Sequence, residues 1–149
     1  QQTGLATVSA RTLTANTNAK AKITETGKAD TVNAPMWMAV TNLSGEVCLD
    51  LVNEEKAKAA SERRFFSQVD FSRAPASMTI QAKEDLVRRM ARNFWGRNET
   101  VAEKTVLLSD LDAIAAEPRR AGVSDGVDTE DVMIYTCSAM LASLDAIRF

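Results

Sequence analysis

Histidine is absent from the 149 residues of this chain. Its absence removes the commonest general acid–base group, the Ser-His-Asp and Cys-His nucleophile systems, and the usual nitrogen ligand of zinc and haem. An enzyme of this composition would have only carboxylates and arginines to work with, and no pair of acidic residues stands out for that role. We therefore expect a protein without enzymatic activity and without a cofactor.

Aromatic residues make up 5% of the chain, with only six glycines and three prolines. A β-sandwich or barrel would need more aromatic, β-branched and turn-forming residues. Hydrophobic residues nonetheless account for 45% of the chain, and alanine is abundant. This composition favours an all-α protein, and 149 residues are enough for one domain with its own core.

Long hydrophobic runs and an excess of basic charge are also missing. No run of about 18 apolar residues occurs, so the sequence predicts no membrane span. With 18 basic and 20 acidic residues the net charge is −2, which predicts no binding to nucleic acid. The chain begins QQTGLATVSA, without an initiator methionine, as a mature protein would after removal of a signal peptide. We expect export to the periplasm or the cell surface.

Helical patterning divides the chain into an N-terminal arm, residues 1–32, and a helical domain, residues 33–149. The arm is rich in Thr, Ala, Asn and Lys, so we expect an extended segment with a short helix over residues 18–26. The first strong helix begins at Asn33, a good N-cap, and carries apolar residues at helical spacing, at positions 36, 40, 43, 47 and 51.

A loop and a further helix follow the charged segment EEKAKAASERRFF. The loop SQVDFSRAPAS is rich in turn-forming residues, and Val69 and Phe71 are expected to anchor it to the core. The helix runs over about Thr79–Trp95 with Ile80 facing inward. Gly96 then stands where a left-handed residue usually ends a helix.

Two capping boxes predict the remaining helices. Thr100 and Glu103 form a T-x-x-E box at the start of one helix, which Pro118 ends. Asp128 caps the last helix, with Asp131 placed to reach back to it. The sequence therefore predicts an all-α protein, a single compact bundle of about five helices with an extended N-terminal arm.

The two cysteines lie on the inward faces of the first strong helix and the last one, at Cys48 and Cys137. Cysteine pairs in small exported domains usually form disulfides, whereas cytosolic thiols stay reduced. Two buried thiols acting as small hydrophobic groups are the alternative. We predict a Cys48–Cys137 disulfide that joins the two ends of the bundle.

Several apolar residues have no obvious place in one core. Positions 36–38 are three consecutive large apolar residues, and the last helix combines small and large side chains in a way that suits packing on two sides. A last helix that lies wholly inside the bundle would explain its pattern equally well. The residues predicted to form an interface with other protein subunits are Leu5, Val8, Leu13, Trp37, Met38, Met140 and Phe149.

Two charged clusters allow both a functional and a structural interpretation. Arg88, Arg89, Arg92 and Arg97 suit either a patch for phosphate or an acidic partner, or a solvated helix face with cations near its C-terminus. Asp125, Asp128 and Asp131 suit either an irregular calcium site or turn and N-cap positions, since their spacing does not match an EF-hand. The structural interpretation is the simpler one in both cases, so we predict no metal site.

Two functional hypotheses remain. The first is a non-enzymatic exported subunit of a cell-surface or envelope assembly, such as a filament, a pilus-like structure or a secretion apparatus, whose partners are other protein subunits. The second is a small-ligand or calcium-binding helical module, with a pocket between helices near Trp37, Met90 and Trp95.

Overall fold

A computed structural model of the protein describes residues 7–25, 34–116 and 128–143. The helices in these ranges are α1 (Ala10–Glu25), α2 (Ala34–Lys56), α3 (Ile80–Met90), α4 (Val101–Ala115) and α5 (Thr129–Leu141). A π-helical turn, Ala91–Trp95, continues α3, and short 3-10 turns lie at Ala60–Glu62 and Pro75–Ser77. The described ranges contain no β-strand, and the predicted all-α bundle of about five helices is confirmed.

The helix boundaries follow the local signals in the sequence. At the start of α4, Thr100 Oγ1 accepts from the Glu103 backbone N–H at 3.3 Å, and Glu103 Oε2 accepts from the Thr100 N–H at 2.7 Å. The same reciprocal pair joins Asp128 and Asp131 at the start of α5. Gly96 has φ of 67°, a left-handed conformation that glycine adopts without strain. These predictions are confirmed.

Helix α1 is longer than the sequence predicts, since it begins at Ala10 rather than near residue 18. The Ser9 hydroxyl accepts from the Thr12 backbone N–H at 3.2 Å, and the Ser9 carbonyl accepts from Leu13 N–H at 3.0 Å. Ser9 therefore acts as an N-cap. The segment from Ala10 onward lacks a stripe of large apolar residues, which is why helical periodicity did not reveal it.

The core lies between the C-terminal half of α2, α3 with its π-helical turn, and α5. The loop after α2 closes it, with Val69 buried and Phe71 half-buried as predicted. Ile80 was predicted to face inward, but it is 50% exposed because the other face of α3 meets the core. The largest fully buried side chains are Phe65, Phe66, Phe94, Leu86, Met90, Leu111, Met133 and Met140.

Helix α5 runs antiparallel to α2. Lys56 at the end of α2 forms an ion pair with Glu130 at the start of α5, and Cys48 meets Cys137 seven residues further along α5. Helix α5 ends at Leu141, about one helical turn after Cys137. Because the two helices are antiparallel, this end lies beside the turn of α2 that precedes Cys48. The N-terminal half of α2 therefore extends beyond α5. None of the helices in the described ranges is long and apolar enough to cross a lipid bilayer.

Candidate protein interface

Helix α1 packs antiparallel along α2, and small side chains form its described apolar contacts. Among residues 10–22, whose side chains the structure describes, the buried ones are Thr12, Ala15 and Ala19, spaced three and four positions apart so that they share one face. Small residues let the two helix backbones approach closely, but burying an alanine methyl stabilises by only about 0.8 kcal/mol. Over residues 10–22 the apolar part of this contact is therefore weak.

Polar groups position α1 on α2. Asp50 Oδ2 accepts from the Ser9 backbone N–H at 2.9 Å and from Thr12 Oγ1 at 2.7 Å. Arg11 Nη2 donates to Glu46 Oε1 at 2.9 Å. Burial raises the pKa of Asp50, but the hydrogen bonds from Ser9 and Thr12 and the charge of Arg11 outweigh it and lower the pKa below 3.8. The ionised carboxylate thus sets the register of α1 against α2.

Four of the predicted interface residues lie on the surface of this helical hairpin or beside it. Their exposed fractions are 48% for Val8, 55% for Leu13, 36% for Trp37 and 72% for Met38. Leu13 lies in α1 and Val8 lies two residues before it begins, while Trp37 and Met38 lie in the part of α2 that extends beyond α5. Two further predicted residues, Leu5 and Phe149, lie outside the described residues.

Met140 does not belong to this surface, although it was predicted to. It is 1% exposed and sits in the core cluster, and its carbonyl accepts from the Trp95 indole N–H at 3.0 Å. Helix α5 packs on α2 on one side and meets α4 and the π-helical turn on others. The two-sided pattern of α5 is thus satisfied within one chain.

The first half of α2 carries no charge. Residues 34–45, APMWMAVTNLSG, contain no acidic or basic side chain, and the first charged residue of the helix is Glu46. Trp37 and Met38 are exposed within this stretch. A partner can therefore cover it without removing a charge from water, which is the costly part of burying most helix surfaces.

The disulfide connects α2 and α5 at the centre of the bundle. The Cα atoms of Cys48 and Cys137 are 5.8 Å apart, and both side chains are completely buried. The bond ties the part of α2 that lies in the core to α5, while the first half of α2 remains outside this constraint.

The predicted basic patch consists of arginines that already have partners. All four lie on α3, on the π-helical turn or just after it. The contacts are Arg88 Nε to Glu99 Oε1 at 3.7 Å, Arg89 Nε to Asp85 Oδ2 at 2.6 Å, Arg92 Nε to Asn98 Oδ1 at 2.7 Å, and Arg97 to both oxygens of Glu103. This pairing favours a charge-compensated helix face over a phosphate site.

One of these pairs has a measurable pH dependence. Arg97 donates to the two carboxylate oxygens of Glu103 at 2.9 and 2.6 Å and, with the Thr100 backbone N–H, lowers the pKa of Glu103 from 4.5 to about 2. Because the folded pKa is depressed, the pair stabilises the fold fully above about pH 4.5 and loses this contribution as the pH falls toward 2.

Arg97→Ala is expected to return the pKa of Glu103 most of the way to 4.5, measured by NMR titration of the side-chain carboxyl. Since both side chains are about a third exposed, solvent screening limits the loss of stability at neutral pH to about 1 kcal/mol. Arg92→Ala is the control, because Arg92 contacts Asn98 instead. An unchanged titration of Glu103 in Arg97→Ala would contradict the assignment.

The acidic candidates for calcium binding serve as helix caps where the structure describes them. Asp128 and Asp131 form the capping box of α5, and Asp125 lies outside the described residues. No group of three or more acidic or cysteine side chains suited to a metal ion occurs in the described ranges. The N-cap interpretation accounts for both aspartates.

Glu55 is a buried carboxylate that no pattern in the sequence marks as buried. It is 2% exposed, and its oxygens accept from the backbone N–H groups of Arg64, Phe65 and Phe66 at 2.9 to 3.2 Å. Both oxygens face backbone donors of the loop, so the group holds the loop in place rather than facing a cleft where a substrate could bind. Its role is structural.

The three residues near which a ligand pocket was predicted, Trp37, Met90 and Trp95, have different surroundings. Met90 is completely buried, Trp37 lies on the surface, and Trp95 donates to the Met140 carbonyl and to Ser143 Oγ. An open groove of about 580 Å³ lies elsewhere, beside Lys56, Arg63 and Phe71.

The cations of that open groove are engaged by the chain itself. Lys56 pairs with Glu130, and Arg63 donates to the carbonyls of Lys58 and Val69. A small anionic ligand would have to displace these contacts before it could bind. The groove therefore offers no prepared site for the ligand-binding hypothesis.

Comparison with known protein families, curated proteins and solved structures finds no match to this chain.

Proposed function

We propose that this protein is a non-enzymatic, exported subunit of a protein assembly at the cell surface or in the envelope, such as a filament or a secretion apparatus. Its interface with neighbouring subunits is formed by helix α1 and the first half of α2. Its partners are protein subunits, and self-association is the simplest case.

The observation that carries this proposal is that α1 and the first half of α2 lie outside the buried core cluster of the bundle. Among the described residues, the buried core cluster draws on α2 only from Cys48 onward and takes nothing from α1. The remaining part of α2 is uncharged and exposes Trp37 and Met38. An uncharged apolar surface outside a self-sufficient core is typical of a protein interface.

The disulfide supports the proposed compartment. Disulfides persist in secreted and periplasmic proteins and are rare in the reducing cytosol. A fully buried Cys48–Cys137 bond at the junction of two helices suits a protein that works in an oxidising compartment.

Deleting residues 1–30 is expected to leave a folded monomer that no longer assembles. The reason is that the core cluster contains no residue of α1, so the deletion removes interface and little of the core. Circular dichroism measures folding, and analytical ultracentrifugation over a concentration series measures association of the full chain and the truncated one.

A pair of point variants separates the surface from the arm. Trp37→Ser/Met38→Ser keeps α1 and is expected to weaken association, whereas Val101→Ser/Val106→Ser removes two exposed valines of α4 and is expected to have no effect. A truncated chain that associates as the full chain does would show that the arm is not part of the interface.

A further inference from the structure

We propose that α1 is an exchangeable element: in the assembly, α1 of one subunit docks on α2 of a second copy, in the groove that its own α1 occupies in the single chain. This inference rests on the proposed function and names the partner of the interface as a second copy of this chain. The occupied groove includes Asn42 in the first half of α2 and continues past it to Glu46 and Asp50.

The fit between α1 and this groove is already visible within one chain. Thr12, Ala15 and Ala19 pack against α2, and Asp50 and Glu46 receive the polar groups at the start of α1. A second copy carries an identical α1, so every one of these contacts can form between chains with unchanged geometry. Exchange of an identical element is a low-cost route to assembly for this reason.

The intrachain contact is weak enough to open. Over residues 10–22 of α1 it buries small side chains, and Glu46 Oε2 is buried without a hydrogen-bond partner among the described residues. A buried acceptor without a donor weakens a contact. The core cluster takes no residue from α1, so α1 can leave without unfolding the rest of the bundle.

The connection between the two helices is long enough for exchange. Eight residues, 26–33, separate α1 from α2, and a chain of that length spans up to about 28 Å when extended. Two packed helices are only about 8–10 Å apart. A tether of eight residues keeps α1 near its own groove at an effective concentration on the order of millimolar. Docking within one chain therefore dominates in dilute solution, and exchange requires the high local concentration of an assembly.

Two complementary charge variants test the exchange directly. The acidic-arm variant is Arg11→Glu/Thr12→Asp, which places two carboxylates opposite Glu46 and Asp50. The basic-groove variant is Glu46→Arg/Asp50→Lys, which places two cations opposite Arg11. In each variant alone, α1 and the groove of the same chain carry like charges and repel each other. In a mixture, the acidic α1 of one variant can bind the basic groove of the other, and the unchanged α1 can bind the unchanged groove.

We expect each variant alone to remain monomeric and an equimolar mixture to form a heterodimer, measured by analytical ultracentrifugation at low salt. The Kd of the mixed pair should be lower than that of either self-association by about tenfold or more. The chain carrying all four substitutions is the control, since its acidic arm fits its own basic groove and it should stay monomeric when dilute.

Hydrogen exchange of the unaltered chain tests the proposal even if the variants fail to fold. Backbone amides of α1 should exchange with deuterium at least about tenfold faster than those of α5, because α1 opens without global unfolding. Equal protection of α1 and α5 would overturn the exchange, and so would a mixture that stays monomeric where the unaltered chain associates. If deletion of residues 1–30 still abolished assembly in that case, the proposed function would stand with the outer face of the hairpin as its interface.

Discussion

Replacing both Cys48 and Cys137 by alanine is expected to lower the free energy of unfolding by about 4 kcal/mol. The two residues are 89 positions apart, so their bond closes most of the chain into one loop and strongly restricts the unfolded ensemble. Both side chains are completely buried, and the alanines leave only small voids. The loss of the cross-link therefore dominates the change.

Urea unfolding of the oxidised protein, the reduced protein and Cys48→Ala/Cys137→Ala separates the two effects. The reduced protein retains both sulfur atoms, so its difference from the oxidised form measures the cross-link alone, while the alanine variant adds the packing change. Intact mass under non-reducing conditions verifies the oxidised state, because the disulfide form is lighter by two hydrogens. Equal unfolding midpoints for the oxidised and reduced proteins would contradict a stabilising cross-link.

This result bears on the proposed assembly through the geometry of α2. The bond lies where α2 leaves the core, so it fixes the C-terminal half of the helix against α5 while the uncharged first half extends beyond. With the disulfide formed, the first half of α2 and the helix α1 packed on it are attached to a rigid part of the bundle. Reduction would loosen that part, and we expect assembly to be weaker under reducing conditions for this reason.

Most of the bundle could be predicted from sequence because its helices carry clear signals. Helix α2 has apolar residues at helical spacing. Helices α4 and α5 begin with capping boxes, and both residues of each box can be recognised from the sequence. The cysteines could be placed near each other because they fall on inward faces of helices that meet. These features depend on local spacing, which a single sequence contains in full.

Two predictions that were wrong, for the start of α1 and for Met140, concern contacts that produce no recognisable apolar pattern in the sequence. Over residues 10–22, helix α1 packs through threonine and alanine, so its buried face looks like the rest of a polar segment. The Ser9 cap was the one available signal for its start. Met140 was assigned to an interface because the neighbours on both sides of α5 cannot be read from its own pattern.

Glu55 illustrates a further limit. It stands in the segment NEEK, where the sequence suggests a solvated end of helix, and its neighbour Glu54 forms an ion pair with Lys58 one helical turn further on. The donors that Glu55 meets are backbone N–H groups nine to eleven residues away, and backbone groups are the same for every residue type. No letter in the sequence could have identified them.

Glu55→Gln is expected to destabilise the fold by about 3 kcal/mol, measured by urea unfolding. The carboxylate accepts from the backbone N–H groups of Arg64, Phe65 and Phe66, and the amide that replaces it turns one acceptor into a donor that faces them. A buried backbone donor then loses its partner, and the remaining hydrogen bonds lose the strength that a charged acceptor gives them.

Glu62→Gln is the matched control, since Glu62 carries the same charge on an exposed 3-10 turn in the same connection. It should change stability by less than about 0.5 kcal/mol. If Glu55→Gln were no more destabilising than this control, Phe65 and Phe66 would hold the loop by packing alone. A large difference would instead make the loop depend on α2, so that one helix supplies the disulfide, the anchor of the loop and the groove for α1.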